Sequence, residues 1–221
     1  MTSFDDIQLE MNGAVAVIRL TRPAKRNALS DGLILALKHT FSNLPPETRA
    51  AVIDGEGEHF CAGLDLREAA RVKKEEGVDI LTKMKDPFHG RQRRVAKPII
   101  AAMTGHLIAG GMMLSLNSDL RVGLKGTQVG ITETRIAGRG SPWAIPLLWM
   151  LPQPLLMEMV LTGDLYPIDT FHQLGFINRL VEPDQVVPTA IEMANHLLTL
   201  PPAARVNTVH MMRRMRPKPS A

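Results

Sequence analysis

Two stretches of the chain place small residues where backbone could come close to a ligand. One reads Phe60-Cys61-Ala62-Gly63-Leu64-Asp65-Leu66 and the other Gly105-His106-Leu107-Ile108-Ala109-Gly110-Gly111-Met112. Glycine lacks a Cβ, so a neighbouring peptide N–H can reach a substrate with no side chain in the way. A helix opening at the glycine pair would add free N–H groups and the positive end of its dipole. Two N–H groups converging on one point make an oxyanion hole, which stabilises negative charge developing on a carbonyl oxygen. Small residues between strand and helix also serve tight packing alone, so each stretch by itself leaves both readings open. Cys61 reads as a small buried filler and not as a nucleophile. His59, His89 and His106 have no metal-ligand spacing, and His106 reads as packed beside its loop. No Gly-x-Ser-x-Gly, His-Glu-x-x-His or P-loop pattern is present.

The surrounding pattern alternates strands with helices, which predicts an α/β domain. Residues 7–10 and 14–20 alternate in polarity around Asn12-Gly13, a tight-turn pair, and predict a hairpin. Ser30 is a candidate N-cap for a helix carrying Leu33, Leu37 and Phe41, ended near Leu44 by Pro45-Pro46. Residues 50–54, 98–103, 120–124 and 176–181 read as strands. Residues 66–94 are charged and helical in pattern, interrupted by Pro87. Further helices are expected at 112–116, 154–161, 189–200 and 205–215.

The 221 residues are 45% hydrophobic and 22% charged, ordinary for one soluble globular domain with a substantial core. The net charge of +4 is scattered, and its densest run, Arg213, Arg214, Arg216 and Lys218, reads as a solvated terminus. With 4% aromatic residues and no nucleic-acid motif, nucleic acid is set aside as a partner. No apolar run approaches a membrane span, no secretory signal is visible, and the single cysteine forms no intrachain disulfide. The cytoplasm is the expected location.

The order and wording of the motifs go further. Val17-Ile18-Arg19-Leu20-Thr21-Arg22-Pro23-Ala24-Lys25-Arg26-Asn27-Ala28-Leu29 resembles the opening segment of the crotonase superfamily, the enoyl-CoA hydratase/isomerase family. Phe60-Cys61-Ala62-Gly63-Leu64-Asp65-Leu66 resembles its Phe-Cys-Ala-Gly-x-Asp-Leu motif. Lys97-Pro98-Ile99-Ile100-Ala101-Ala102-Met103-Thr104-Gly105 with Ala109-Gly110-Gly111 resembles its next motif, with alanine at the first of three glycines. Leu161-Thr162-Gly163-Asp164 and Leu174-Gly175-Phe176-Ile177-Asn178-Arg179-Leu180-Val181 match later landmarks. The resemblance covers roughly residues 7–210.

It implies a spiral of repeated β-β-α units, as in the ClpP/crotonase fold, with a core domain over 1–195 and a shortened C-terminal helical segment over 196–221. It implies an acyl-CoA or enoyl-CoA thioester as substrate, with coenzyme A part of the substrate and no separate cofactor or metal. The N–H groups of Ala62 and Gly110 would hold the thioester oxygen. Ala24 and Lys25 would line the coenzyme A nucleotide, and the main chain at Asp65 and Leu66 its adenine end. A homotrimer or hexamer is expected.

Hydratases of the family use two glutamates to handle a water molecule. Met113 stands at the position of the first, and Glu133, in Gly130-Ile131-Thr132-Glu133, supplies the second. One carboxylate above an enolate suffices for a 1,3-proton shift, so the resemblance favours a Δ3,Δ2-enoyl-CoA isomerase with Glu133 as sole acid/base, in apolar company from Met113 and Trp143. The alternatives are hydration, hydrolysis, dehydration or decarboxylation on the same site, or an acyl-CoA-binding member without catalysis. After Glu133 the chain departs from the family pattern. Arg139 and Ser141 there could touch a polar substrate, though exposed loop positions are the plainer reading.

Overall fold

The computed structural model describes residues 6–216. Strands β1 (Ile7–Asn12) and β2 (Val15–Leu20) pair antiparallel with Asn12 opposite Val15. The loop is therefore Gly13 and Ala14, one residue beyond the expected pair, and Gly13 supplies a φ of 57° at its first position. Four more strands follow β2 in parallel: β3 (Ala50–Gly55), β5 (Ile99–Met103), β7 (Leu120–Leu124) and β10 (Arg179–Val181). Central strands covered on both faces need no polar side, which is why β3 and β5 read as unbroken apolar runs. Residues 50–53 and 99–103 are all buried.

A second, four-stranded sheet has no counterpart among the strands expected from sequence. It comprises β4 (His59–Cys61), β6 (His106–Ile108), β8 (Gln128–Gly130) and β9 (Leu165–Pro167), the first three parallel and the last antiparallel. Three residues are too few to display a period of two, so these strands left no sequence signal. A long strand in the large sheet is each time followed by a short one in the small sheet and then a helix. The units are β3-β4 with α2 (Leu66–Glu76), β5-β6 with α5 (Gly110–Leu116), and β7-β8 with α6 (Glu133–Ala137). This is the spiral of β-β-α units that the motifs imply.

Helix α1 (Asp31–Ser42) begins as expected, with Ser30 Oγ accepting the Leu33 N–H at 3.1 Å. The charged stretch 66–94 is three helices: α2, α3 (Ile80–Lys83) and α4 (Gly90–Arg94). Gly77, at φ 72°, ends the first well before Pro87. The expected strand at 176–181 starts only at Arg179. The N–H groups of Phe176 and Ile177 both turn back to the Phe171 carbonyl at the end of α8 (Ile168–Gln173). On the outer face of the large sheet, Val186, Ala190 and Ala194 of α9 (Val186–Leu198) pack on Val15, Val52 and Ile100. Residue 195 lies inside this helix.

Helix α10 (Pro202–Met215) buries little beyond Val209 and is anchored by charge instead. Arg213 Nε donates to Asp119 Oδ1 at 2.9 Å, and Asp119 Oδ2 accepts the Ile99 N–H at 2.8 Å. Arg216 Nη1 donates to the Leu116 carbonyl at 2.9 Å. The terminal basic run is thus partly an anchor and not simply a solvated end; Lys218 lies outside the described residues. Among the described residues no helix is long and apolar enough to cross a membrane.

His89, just before α4, is buried with φ 50°, and its Nε2 has no hydrogen-bond partner among the described residues. Burial pushes its pKa down from 6.5 to about 4, against a weaker opposing pull from Asp86. A pKa lower in the folded than in the unfolded state means that the neutral ring supports folding fully above pH 6.5. That support is lost as pH falls towards 4. His89→Asn, which keeps a residue tolerant of positive φ, is expected to flatten the loss of stability between pH 6.5 and 4. Urea titrations across that range would measure it.

Candidate active site

The segment 26–29 runs beside 62–65 as a short parallel pair. Ala62 N–H donates to the Arg26 carbonyl at 3.0 Å, Leu29 N–H to Gly63 at 2.7 Å, and Asp65 N–H to Leu29 at 3.0 Å. Arg26 and Asn27 both take left-handed backbone, at φ 53° and 52°. The fully buried Asn27 holds that bend: its Oδ1 accepts the Arg22 N–H at 2.9 Å, and its Nδ2 donates to Glu56 and His59 carbonyls at 2.9 and 2.8 Å. The family-like motifs around Asn27 and Gly63 are therefore two sides of one structural unit.

This pairing corrects one expectation. The Ala62 N–H is occupied by Arg26 and is not free to hold a ligand oxygen. In a trans peptide the C=O and N–H point in opposite directions. Gly63 O faces Leu29, so the Leu64 N–H of the same peptide faces away from it, and no acceptor for it is found among the described residues. Gly63, at φ 88°, is what turns the chain between the two orientations. The signal that could have found Leu64 is that glycine: the peptide after it is the one reoriented.

The second segment lies against this turn. A Cβ on Gly63 would sit 2.7 Å from the Ala109 Cβ and 3.2 Å from the Gly110 nitrogen. A Cβ on Gly111 would sit 2.3 Å from the Cys61 carbonyl oxygen. Gly110 is the first residue of α5, so its N–H has no acceptor within the helix. Ala109, the alanine at the first glycine of the resembled motif, has φ 49° and ψ −117°, a backbone region that suits glycine.

A cavity of about 890 Å³ opens here, and all nine expected site residues line it: Ala24, Lys25, Ala62, Asp65, Leu66, Gly110, Met113, Glu133 and Trp143. Their roles differ. Asp65 caps α2, accepting the Glu68 N–H at 3.2 Å, and pairs with Arg22 at 3.5 Å, so its carboxylate is already engaged. Lys25 and Ala24 are exposed in a 3-10 turn, Pro23–Lys25. Met113 is buried. Trp143 is more than apolar company: its indole N–H donates to Glu133 Oε1 at 2.7 Å. Glu133 Oε2 is buried and has no hydrogen-bond partner among the described residues. Arg139 reaches the cavity but is paired with Asp79 at 2.9 Å, and Ser141 is buried, not an exposed loop position.

His59 and His106 are partners across β4 and β6, with ring centroids 5.1 Å apart, and both line the cavity. His106 is held by the sheet itself, its Nδ1 accepting the Gln128 N–H at 3.0 Å. Burial, with His106 and Arg26 nearby, lowers the His59 pKa. Burial pushes the Cys61 thiol up to about 12, so it stays protonated. No group of three His, Cys, Asp or Glu side chains among the described residues is placed to hold a metal ion.

The close approach at Gly111 gives a direct test. Gly111→Ala would drive a methyl into the Cys61 carbonyl, which backbone cannot relieve by rotating a side chain. The expected loss is about 3 kcal/mol, a fall in Tm of ~6–12 °C for a chain of this size, measurable by thermal unfolding.

Comparison with known proteins agrees with this architecture. A family model described as Enoyl-CoA hydratase/isomerase matches residues 10–220. The chain is 29% identical over 211 residues to the enoyl-CoA hydratase EchA19 of Mycobacterium tuberculosis, covering 90% of this chain and 77% of the relative. It is 31% identical over 212 residues to a carnitinyl-CoA dehydratase of Salmonella paratyphi A, with the same two coverages, 90% and 77%. A solved structure from Pseudomonas aeruginosa superposes with a TM-score of 0.88 at 26% identity, covering 97% of this chain and 93% of that one. Motifs, spiral fold and family match coincide along the same residues, and the chain belongs to the enoyl-CoA hydratase/isomerase family of crotonase-fold acyl-CoA enzymes.

Proposed function

We propose that this chain catalyses a 1,3-proton shift on an enoyl-CoA thioester, converting a 3-enoyl to a 2-enoyl product. In this reading the thioester oxygen accepts hydrogen bonds from the N–H groups of Leu64 and Gly110. Each such donor is worth about 2.7–4 kcal/mol when charge develops on the oxygen. Ala24, Lys25 and the main chain at Asp65 and Leu66 would receive the coenzyme A nucleotide, leaving the acyl chain to the apolar end near Met113 and Trp143.

The observation that carries the proposal is the asymmetry of the proton-handling groups. Glu133 and Met113 both line the cavity: Glu133 Oε2 is buried with no hydrogen-bond partner among the described residues, and Met113, at the position where the family motif has its other glutamate, is a buried thioether. A thioether is a weak acceptor and cannot exchange protons, so nothing there replaces the second carboxylate that water addition uses. A single carboxylate can remove a proton from C2, leave a dienolate on the thioester, and return the proton at C4. Hydration is the second reading, favoured by the names of relatives, which are hydratases and dehydratases.

A paired turnover assay separates the two: a 3-enoyl-CoA followed for conjugation and a 2-enoyl-CoA followed for water addition. Conjugation without water addition is expected. Glu133→Gln, which keeps the shape and removes the base, is expected to lower conjugation ~100–10,000-fold. Water addition by the wild-type chain, or an unaffected Glu133→Gln variant, would sink the proposal.

A further inference from the structure

Trp143 has no counterpart in the motif expected after Glu133, where the closing glycines would stand. It comes from the 3-10 segment Pro142–Trp149, is 6% exposed, and packs within the main core. Core packing alone does not require its N–H to meet a carboxylate, yet the indole nitrogen lies 2.7 Å from Glu133 Oε1. Indole has one donor and no acceptor, and a buried ring cannot swing to a different partner. Glu133 is the first residue of α6, so its backbone is fixed as well.

With Oε1 held, rotation of the carboxyl group about its terminal torsion would break that bond and strand the indole donor in an apolar setting. We propose that Trp143 is a positioning residue: its indole N–H fixes the Glu133 carboxyl so that Oε2 alone takes up and returns the substrate proton. This rests on the proton-shift reading above and refines it. In the step, the C2–H bond breaks as Oε2 takes the proton, and the freed electron pair is delocalised into the dienolate. The dienolate then collapses to the C1 carbonyl and the C2–C3 double bond, and the pair of the former C3–C4 double bond takes the proton at C4. The proton then leaves Oε2 to form the C4–H bond, and the carboxylate is regenerated. One oxygen serving both carbons in a cavity walled by Met113 keeps the proton from exchanging with solvent.

The test uses the full chain and a 3-enoyl-CoA carrying deuterium at C2, with product scored for deuterium at C4. The wild-type protein is expected to transfer a substantial share of the label. Trp143→Phe is expected to lower kcat about 100-fold, as for a misplaced catalytic group, with KM within about two-fold and most of the label lost to solvent. A second variant guards against misfolding. Replacing Trp143 by its benzothienyl analogue, with sulfur in place of N–H, removes the donor at nearly constant shape and is expected to behave like Trp143→Phe.

Label retention and kcat unchanged in both variants would overturn the positioning role while leaving the proton-shift reading intact. Wild-type turnover with complete label loss would overturn the single-oxygen shuttle. Absence of wild-type conjugation would remove the proton-shift reading, and this inference with it.

Discussion

The site exists because two pieces of backbone touch where side chains would have kept them apart. The first turn of α5 lies against the end of β4 so closely that a methyl at Gly111 would overlap the Cys61 carbonyl, and one at Gly63 would crowd Ala109 and the Gly110 nitrogen. Gly105 is in the same position, its hypothetical Cβ lying 2.1 Å from the Glu58 carbonyl oxygen. Every residue of α5 is buried, so the helix is fixed on all sides and its first N–H is held in place. Dense packing transmits position: a helix that cannot shift presents its end group at a defined point.

That contact depends in turn on the bend at residues 26 and 27. Left-handed backbone at two consecutive non-glycine residues costs of order 1–3 kcal/mol each. The three side-chain hydrogen bonds of buried Asn27, joining Arg22, Glu56 and His59, are what hold it. The bend brings the Arg26 carbonyl to Ala62 and Leu29 to Gly63 and Asp65. By engaging Ala62 and the Gly63 carbonyl, it determines that the Leu64 N–H is the one left facing away. The buried amide of Asn27 thus fixes which peptide N–H of this segment is left without a backbone partner among the described residues.

The part of the cavity around Glu133 and Trp143 is built differently, from side chains on irregular structure. α6 is one turn and a little more, and the stretch after it is a 3-10 segment containing Pro146. The fold by itself does not choose the reaction, which depends on the side chains at this wall. The cavity lining includes the Glu133 carboxylate, the Trp143 indole donor and the Met113 thioether, together with His59, His106 and the engaged carboxylate of Asp65. The pairing of Trp143 with Glu133 joins the least family-like segment of the chain to the residue on which proton transfer would turn.

Most strands of the large sheet, the hairpin to within one residue, α1 with its Ser30 cap, and the family were legible in the residues alone, because these rest on long apolar runs, strong turn chemistry and motifs in fixed order. The sequence also pointed to nine of the residues that line the cavity, since each lies in or beside a motif, but not to Leu64. The small sheet escaped it, being made of three-residue strands that have no periodicity to read. So did the early end of α2 at Gly77 and the late start of β10 at Arg179, where local hydrogen bonds at a helix end override an apolar run. That the Ala62 N–H is engaged while the Leu64 N–H is not follows from the fold alone, because N–H direction depends on pairing with residues 26–29. The tertiary structure alone turned Trp143 from apolar company into a hydrogen-bond donor and part of the basic terminal run into an anchor on Asp119. Composition and spacing report which groups are present, but the direction of a donor is set by what the rest of the chain places opposite it.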